Sequence, residues 1–448
     1  MKKVLIIGGG LAGLSCAVYL LDKGFLPHIL EKNSVVGGRT SSWAENGMNL
    51  ESGLHRMLGF YKALPQLLEK CGVETDEIIQ WMDEIEIRLP DGEPSAVFAI
   101  SPLGKPLASL LDALGNNDFV SPKDKILLVK FFAIGLKLYF EDPEELDKYS
   151  IVEFAYKHGL NKQIIFRVIE PLTSGLFFLK PEEYSAYVFF GTIGPYIKRI
   201  HKFGEGAFKG GMTEVMTQPI AKYIEGKGGI VVKDTKVEGL VMDKKGKARG
   251  VKTASGEITA DHVVLATDLG SAQALIGNAF PDNGEFKAML KLKTMPAITV
   301  QFELEKPTNP TDRVTFSPGT VWGCYAEQSR TTFKSKSGRL ALILSDPKRF
   351  IDKQPQEIMD YIKEDSARIG IDLSTIRKYH VNYLPKDFYS LSPGSEKLRP
   401  TQKTNIKGLT LAGDYTKQKY LATMEGAVYS GRKAAETVSL ELGSEGND

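Results

Sequence analysis

An apolar stretch at the start of the chain runs directly into a glycine pattern with fixed spacing. Val4 to Ile7 predicts a strand, and Gly8-x-Gly10-x-x-Gly13 follows it without a gap. We expect an amphipathic helix from Leu14 to about Lys23 and a second strand that ends in Glu31. This order of strand, glycine turn, helix and strand is typical of a parallel sheet that binds a dinucleotide at its edge.

Each part of the pattern has a physical role. The first glycine permits a tight turn, the second lets the backbone approach a pyrophosphate, and the third lets the helix pack close to the sheet. The helix N-terminus offers amides to phosphates, and an acidic residue after the second strand can bind a ribose hydroxyl. A turn that binds nothing needs fewer glycines, and the apolar run is too short for a secretory signal peptide. The expected contacts are Gly8, Gly10, Leu11, Ala12, Gly13, Glu31 and Lys32.

Length and composition narrow the class of protein. A chain of 448 residues predicts two or three lobes, and a net charge of +2 argues against a nucleic-acid partner. The three cysteines and the histidines lack the spacing of a disulfide framework or a metal site, so we expect neither. The chain has no run of about 18 apolar residues, so we expect no spanning helix and a cytoplasmic protein, with peripheral membrane contact left open.

A second pair of glycines follows soon after Glu31. Gly37-Gly38-Arg39-Thr40 can bring backbone close to a ligand, and its arginine can neutralise phosphate. Alone, this segment would be an ordinary turn with a solvated arginine. Because it follows a complete fingerprint so closely, we expect Gly38, Arg39 and Thr40 to contact the cofactor.

The C-terminal region contains a third candidate segment. Leu409 to Ala412 predicts a strand, and Gly413-Asp414 follows it, before a loop and a helix that begins near Met424. An aspartate in this position can accept hydrogen bonds from a polyol chain, and a helix N-terminus stabilises negative charge on a reduced ring. The first fingerprint is shared by NAD and FAD, and these additions favour FAD, bound without a covalent link.

The three segments together resemble those of the flavin amine oxidase and carotenoid desaturase superfamily. Residues 412–422, with Met424-Glu425-Gly426-Ala427, are similar to the phytoene desaturases of plants and cyanobacteria nearly letter for letter. The resemblance covers most of the chain and is weakest from about Ile85 to Phe203. It implies an α/β fold, in which a discontinuous Rossmann-type FAD-binding domain carries an inserted α+β substrate lobe.

The resemblance also implies roles for particular residues. The segment from Ser52 to Tyr61 would bring a histidine and a tyrosine to the flavin, and a second flavin segment would run from Phe208 to Met212 and from Gly229 to Val237. Asp414 would hold the ribityl chain, while Glu425 and the helix start would face the reduced ring. The expected contacts are therefore His55, Arg56, Tyr61, Val237, Gly413, Asp414, Met424, Glu425 and Ala427 for the cofactor and Ala422 for the substrate.

Two departures from the family pattern concern the substrate. Arg56-Met57-Leu58 stands where the family usually has two apolar aromatic residues. An arginine that the phytoene enzymes use has no clean counterpart near the end of the Tyr184–Arg199 segment, although Tyr196, Lys198 and Arg199 lie close by. Both departures affect the identity of the substrate more than the cofactor or the reaction class.

The domain organisation follows from the same resemblance. We expect residues 1–80, 204–267 and 408–443 to form the FAD-binding domain, and residues 81–203 and 268–407 to form the substrate lobe. Residues 81–203 should be mainly helical, and residues 268–407 should combine strands with a helix near 354–369. The stretch from Ile230 to Ala266 predicts a meander of strands.

The segment 123–140 is a candidate membrane face. Lys123, Lys130 and Lys137 are seven residues apart, so they line one side of a helix whose other positions are largely apolar. Such a helix can lie in a bilayer interface, or it can pack on the core with its lysines in water. Both interpretations stay open at this point.

The sequence therefore predicts an FAD-dependent oxidoreductase that desaturates a long isoprenoid or carotenoid hydrocarbon by hydride transfer to flavin N5. A hydrocarbon has no polar handle, so no acid–base pair is required, and none is evident in the sequence. The resemblance implies a quinone or oxygen as electron acceptor, and homo-oligomers are compatible with it. The alternatives are a hydroxysqualene dehydroxylase-like enzyme, an amine oxidase and a catalytically silent flavoprotein.

Overall fold

The computed structural model of the protein describes residues 1–82, 84–99, 117–197, 199 and 204–444. At its centre lies a five-stranded parallel sheet in the order β10-β2-β1-β14-β20. Its strands come from three separated stretches of the chain: β1 (Lys3–Ile7), β2 (Leu26–Leu30), β10 (Ile230–Val232), β14 (His262–Leu265) and β20 (Leu409–Leu411). The sheet brings the N-terminal glycine turn and the C-terminal Gly-Asp segment to the same carboxyl edge, as parallel strands require.

The other large sheet has seven strands in the order β19-β15-β18-β17-β16-β7-β8. Its strands are β7 (Glu84–Ile87), β8 (Ala96–Ala99), β15 (Thr294–Leu304), β16 (Thr315–Phe316), β17 (Trp322–Glu327), β18 (Gly338–Leu344) and β19 (Ile376–Tyr389). Every residue of β17 and β18 is buried, which indicates that this sheet is covered on both faces. The predicted helical stretch 81–203 therefore also supplies two strands to this sheet.

Three small sheets are also present in the described part of the chain. A hairpin joins β3 (Ser42–Glu45) to β4 (Met48–Glu51), and β9 (Glu205–Phe208) pairs between β5 (Met57–Leu58) and β6 (Ile79–Met82). The third is an antiparallel meander of β11 (Val237–Met242), β12 (Ala248–Thr253) and β13 (Gly256–Thr259). The meander predicted from Ile230 to Ala266 is correct only in its middle, because β10 and β14 at its two ends belong to the parallel sheet.

The helices pack against the two large sheets. They are α1 (Leu11–Asp22), α2 (Ala63–Lys70), α3 (Thr75–Ile78), α4 (Pro122–Glu141), α5 (Pro143–Leu146), α6 (Ile151–Lys157), α7 (Lys162–Ile164), α8 (Glu170–Leu176), α9 (Ala186–Ile197), α10 (Gln218–Gly226), α11 (Leu269–Ala279), α12 (Lys287–Lys291), α13 (Pro355–Arg368) and α14 (Met424–Ser444). The predicted helix near 354–369 is α13. Among the described helices, none is long and apolar enough to cross a bilayer.

Close packing of α1 against α14 joins the two ends of the chain. Gly431 of α14 lies against α1, because a Cβ added there would stand 2.1 Å from the Ala12 carbonyl oxygen. The Ser15 hydroxyl of α1 donates to the Val428 carbonyl at 2.8 Å. This contact fixes the start of α14 relative to the N-terminal glycine turn, so both segments can act on one ligand.

Candidate cofactor and substrate site

A cavity of about 1910 Å³ extends from the edge of the parallel sheet into the space between the large sheet and the helices. Ligand pockets in proteins usually measure roughly 300–1,000 Å³, so this cavity has room for a dinucleotide together with a second large molecule. Most of the expected site residues line it: Gly8, Gly10, Leu11, Ala12, Glu31, Lys32, Gly38, Arg39, Thr40, His55, Arg56, Tyr61, Val237, Gly413, Asp414, Ala422, Met424 and Ala427.

The N-terminal glycines have the geometry that the fingerprint predicts. Gly8 has φ +105°, and a Cβ there would stand 2.7 Å from the Ala266 carbonyl oxygen, so only glycine fits this turn. A Cβ on Gly13 would stand 2.0 Å from the Gly8 carbonyl oxygen, which explains why this expected site residue does not itself line the cavity. The first amides of α1 remain at the cavity wall, where a phosphate can accept from them.

The acidic residue after β2 is buried at this wall. Glu31 Oε2 accepts from the Gly9 amide at 2.7 Å, and Oε1 accepts from the Asn33 amide at 2.9 Å. These bonds hold the carboxylate in one orientation and still leave each oxygen a lone pair, because a carboxylate offers about four acceptor sites. A ribose hydroxyl is a suitable donor for these sites.

Asp414 and Arg39 meet across the cavity although 375 positions separate them in the chain. Arg39 Nη2 donates to Asp414 Oδ1 at 2.6 Å, while within the described part of the chain Asp414 Oδ2 is buried and has no hydrogen-bond partner. A buried carboxylate oxygen without a donor is costly, and a hydroxyl-bearing ligand would satisfy it. We call the surface formed by Gly8, Gly10, Glu31, Arg39 and Asp414 the cofactor cradle. The cradle fits the ribityl and diphosphate parts of FAD.

Glu425 is placed differently from the prediction. Its side chain is fully buried, and it accepts from the amides of Lys62, Ala63 and Leu64 at 2.7–2.9 Å, so it caps the N-terminus of α2. Burial raises the pKa of Glu425, and these three amides oppose the increase. The expectation that Glu425 faces the reduced ring is wrong, because its carboxylate is directed at α2 and does not line the cavity.

The start of α14 nevertheless borders the cavity. Thr423 caps the helix, since its hydroxyl accepts from Gly426 at 3.1 Å and its carbonyl accepts from Ala427 at 3.0 Å. The Ala427 amide is thus used within the helix, and the Met424 backbone hydrogen-bonds with the Tyr61 hydroxyl. Thr423, Met424 and Ala427 line the cavity at this helix start, whereas Glu425 does not.

The segment from Ser52 to Tyr61 runs along the cavity between the cradle and the apolar part. Burial lowers the pKa of His55 to about 4, with the charges of Arg39 and Arg56 acting in the same direction. The imidazole is therefore neutral at physiological pH. Tyr61 packs edge-on against Phe60 with ring centroids 5.1 Å apart, and burial raises the pKa of Tyr61.

Three residues of this site were not predicted from the sequence. Asp268 and Asp387 line the cavity beside Arg39, and burial raises the pKa of Asp387 to about 6. Buried Arg399 donates to the carbonyls of Asp414, Tyr415, Thr416 and Gln418, and so shapes the loop that carries Asp414. Only Asp268 had a sequence signal, as an aspartate before a helix; it caps α11 through Ser271.

The structure also shows where the residues lie that depart from the family pattern. Arg199 donates to the carbonyls of Phe60 and Tyr61, each at 3.0 Å, so it supports the Ser52–Tyr61 segment from outside the cavity. Tyr196 lines the cavity, and Lys198 lies outside the described residues. Arg56 lies inside the cavity wall, where it meets Glu205.

Comparison with known proteins agrees with this geometry. The model of the flavin containing amine oxidoreductase family matches residues 11–439. A 15-cis-phytoene desaturase from Solanum lycopersicum is 30% identical over 97% of this chain and 77% of its own length. A zeta-carotene desaturase from Synechocystis sp. is 26% identical over 97% of both chains. The crystal structure of an oxidoreductase from Methanosarcina mazei has a TM-score of 0.77 at 18% identity, covering 97% of this chain and all of that one.

The fold and the cradle define an FAD-dependent oxidoreductase. The chain belongs to the flavin containing amine oxidoreductase family, and its curated relatives include carotenoid desaturases. When bound, FAD supplies a two-electron acceptor next to the apolar part of the cavity. The residues of the chain bind it, orient it and exclude water from it.

Proposed function

We propose that this enzyme desaturates a long isoprenoid hydrocarbon of the carotenoid type. The observation that carries the proposal is the apolar part of the cavity, which continues from the cofactor cradle far beyond the space that FAD needs. Its wall includes Ile85, Ile87, Val129, Phe132, Leu172 and Ile193. The phytoene and zeta-carotene desaturases among the relatives act on molecules of this chemical class, which supports the same assignment here.

The proposed reaction removes a hydride from one carbon and a proton from its neighbour, so that a double bond forms between them. When bound, FAD would supply the acceptor for the hydride; the two electrons and both hydrogens would then pass to a quinone, giving a quinol, or to oxygen, giving hydrogen peroxide. The chain's own contribution is to shape the apolar wall, to align the substrate and to keep water away from the reacting carbon. Neutral His55, Tyr61 and the proposed substrate contact Ala422 line the same cavity.

The remaining assignments rest on the same family relation. We propose that residues 1–80, 204–267 and 408–443 act as the FAD-binding domain, and residues 81–203 and 268–407 as the substrate lobe. The proposed cofactor contacts are the expected residues that line the cavity, without Glu425. This division is supported by the parallel sheet, whose strands all come from the first set of residues.

Product analysis tests the proposal directly. Purified enzyme is incubated with 15-cis-phytoene in liposomes and a soluble quinone, and the lipids are separated by chromatography. We expect products whose absorption shifts to longer wavelength, because each new double bond extends the conjugated system. The reaction without quinone under nitrogen is the control, and it should stop after about one turnover per flavin. Unaltered phytoene in the complete reaction would contradict the proposal.

We also propose that α4 contacts the membrane from which such a substrate is taken. Its exposed side carries Lys123, Ile126, Lys130, Ala133 and Lys137 at alternating steps of three and four residues. Ile126 is 72% exposed and Val129 is 50% exposed, so large apolar side chains stand beside the lysines on this helix. The same helix lines the cavity through Val129, Phe132, Ala133 and Leu136, so the proposed membrane face lies beside the substrate space.

Charge reversal of the lysine stripe is expected to reduce membrane binding. Each lysine near an anionic surface contributes on the order of 1 kcal/mol, so changing Lys123, Lys130 and Lys137 to glutamate should lower sedimentation with phosphatidylserine liposomes at least tenfold. The matched control replaces the exposed Lys244, Lys245 and Lys252 by glutamate and makes the same change in net charge elsewhere. Equal sedimentation of the two variants would show that the stripe is only a solvated face.

A further inference from the structure

The cavity contains a charged pair that a pure hydrocarbon does not require. Arg56 and Glu205 both line it, although each retains only 8% of its surface accessible. Arg56 Nε lies 3.8 Å from Glu205 Oε1, too far for a hydrogen bond. Their surroundings are apolar and include Leu54, Val314 and Phe316.

The hydrogen bonds of this pair are incomplete. Arg56 Nη2 donates to the Asp312 carbonyl at 3.0 Å. Among the described residues, Arg56 Nε and Nη1 and Glu205 Oε1 are buried and have no hydrogen-bond partner. Buried charged groups that serve only the fold are normally satisfied, and an apolar pair of similar size would be at least as stabilising. The incomplete set therefore indicates a ligand atom as the missing partner.

The pair lies close to the cofactor cradle. Arg56 directly follows His55 in the chain, and the charges of Arg56 and Arg39 both act on the His55 imidazole. On the other side, burial raises the pKa of Tyr196, and the charges of Tyr61 and Glu205 add to this increase. The pair therefore lies beside His55, the residue that the resemblance places at the flavin.

The chemistry of the pair defines the ligand atom. Arg56 offers only donors. Burial raises the pKa of Glu205 to about 7, against the charge of Arg56 and a backbone hydrogen bond from Val314, so a fraction of this carboxyl keeps its proton at neutral pH and can also donate. Two donors in an apolar wall suit an acceptor oxygen with two lone pairs, such as a hydroxyl or a carbonyl.

We propose that Arg56 and Glu205 form a specificity subsite for an isoprenoid that carries a hydroxyl or carbonyl oxygen near its reacting carbon. This inference rests on the proposed function, since it specifies the substrate class of the same cavity. A hydrocarbon such as phytoene still meets the apolar wall but leaves both polar groups unpaired, so it binds more weakly than an isoprenoid with that oxygen.

A matched pair of ligands tests the subsite. Squalene and hydroxysqualene have the same carbon skeleton and differ in one oxygen, and both are titrated anaerobically into the FAD-loaded enzyme in detergent micelles. The change in flavin absorbance gives the apparent dissociation constant of each. We expect hydroxysqualene to bind at least tenfold more tightly, because hydrogen bonds to charged groups are the stronger class.

Three variants test whether Arg56 and Glu205 cause the difference in affinity between the two ligands. Arg56→Met and Glu205→Met each remove a donor and should each reduce the ratio of the two constants to within about twofold of one, while the constant for squalene changes less than about threefold. Arg368→Met, which removes a surface ion pair with Asp91, should retain the parent ratio. The flavin content of each variant is measured first, because a lost cofactor would indicate damage to the fold.

The outcomes separate this inference from the proposed function. Tighter binding of hydroxysqualene that depends on Arg56 or Glu205 supports the subsite, even if no ligand bleaches the flavin and the desaturase proposal fails. Equal affinities of the parent enzyme for both ligands overturn the subsite, even if phytoene is desaturated. The comparison of the two affinities needs only the parent enzyme. The subsite can therefore be contradicted even if neither variant folds.

Discussion

Asp414→Ala is expected to release most of the FAD from the purified protein. The substitution removes a buried carboxylate whose Oδ2 is oriented for a ligand hydroxyl and whose Oδ1 holds Arg39 at 2.6 Å. A charge-assisted hydrogen bond contributes about 1.5–3 kcal/mol, which corresponds to a loss of affinity of roughly ten- to a hundredfold. The loop itself should persist, because Arg399 holds its carbonyls and not the Asp414 side chain.

Flavin fluorescence titration of the apoprotein measures this loss. Asp414→Asn is the matched variant, since it keeps one acceptor oxygen and should retain more affinity than alanine. An unchanged dissociation constant in Asp414→Ala would remove this residue from the cofactor site. It would also leave no explanation for Asp414 Oδ2, which is buried and has no hydrogen-bond partner among the described residues.

Glu425→Ala is expected to destabilise the protein by about 3 kcal/mol. It leaves the amides of Lys62, Ala63 and Leu64 without the carboxylate that caps α2, and unsatisfied buried donors cost about 1–3 kcal/mol each before relaxation. Tyr61 directly precedes this cap and lines the cavity, so flavin binding should weaken together with stability. A residue that only faced the ring would alter flavin reduction and leave unfolding unchanged.

Urea unfolding followed by circular dichroism distinguishes these roles. Glu425→Gln retains an acceptor oxygen and should lose less than half as much stability as Glu425→Ala. If Glu425→Ala unfolds at the same urea concentration as the parent, the capping role is contradicted.

Local patterns in the sequence were sufficient to predict the cofactor edge of the molecule. The turn at Gly8 has a positive φ, and the close packing at Gly13 is against the Gly8 carbonyl five positions earlier, so both require glycine for local reasons. The strand before Asp414 and the helix after it follow from short apolar runs. Because each of these features depends on neighbours in the chain, the sequence contains enough information to place them.

Features that depend on distant residues were not predictable in the same way. The resemblance placed Glu425 at the flavin, but the segment that its side chain caps lies about 360 positions away. Arg399 and Asp387 lack a motif and gain their roles only when the loop and β19 meet at the cradle. The Arg56–Glu205 pair likewise forms through the pairing of β5 with β9.

Anaerobic flavin reduction tests the central claim most directly. The FAD-loaded enzyme is mixed with phytoene, zeta-carotene, hydroxysqualene or a simple amine in a stopped-flow spectrometer, with the lipids delivered in liposomes and without nicotinamide. The account predicts that phytoene or zeta-carotene bleaches the absorbance of the oxidised flavin and that added quinone restores it, whereas bleaching by hydroxysqualene alone would select the alternative enzyme. Bleaching by the amine alone, or by none of the four, would contradict the claim that this enzyme desaturates isoprenoids.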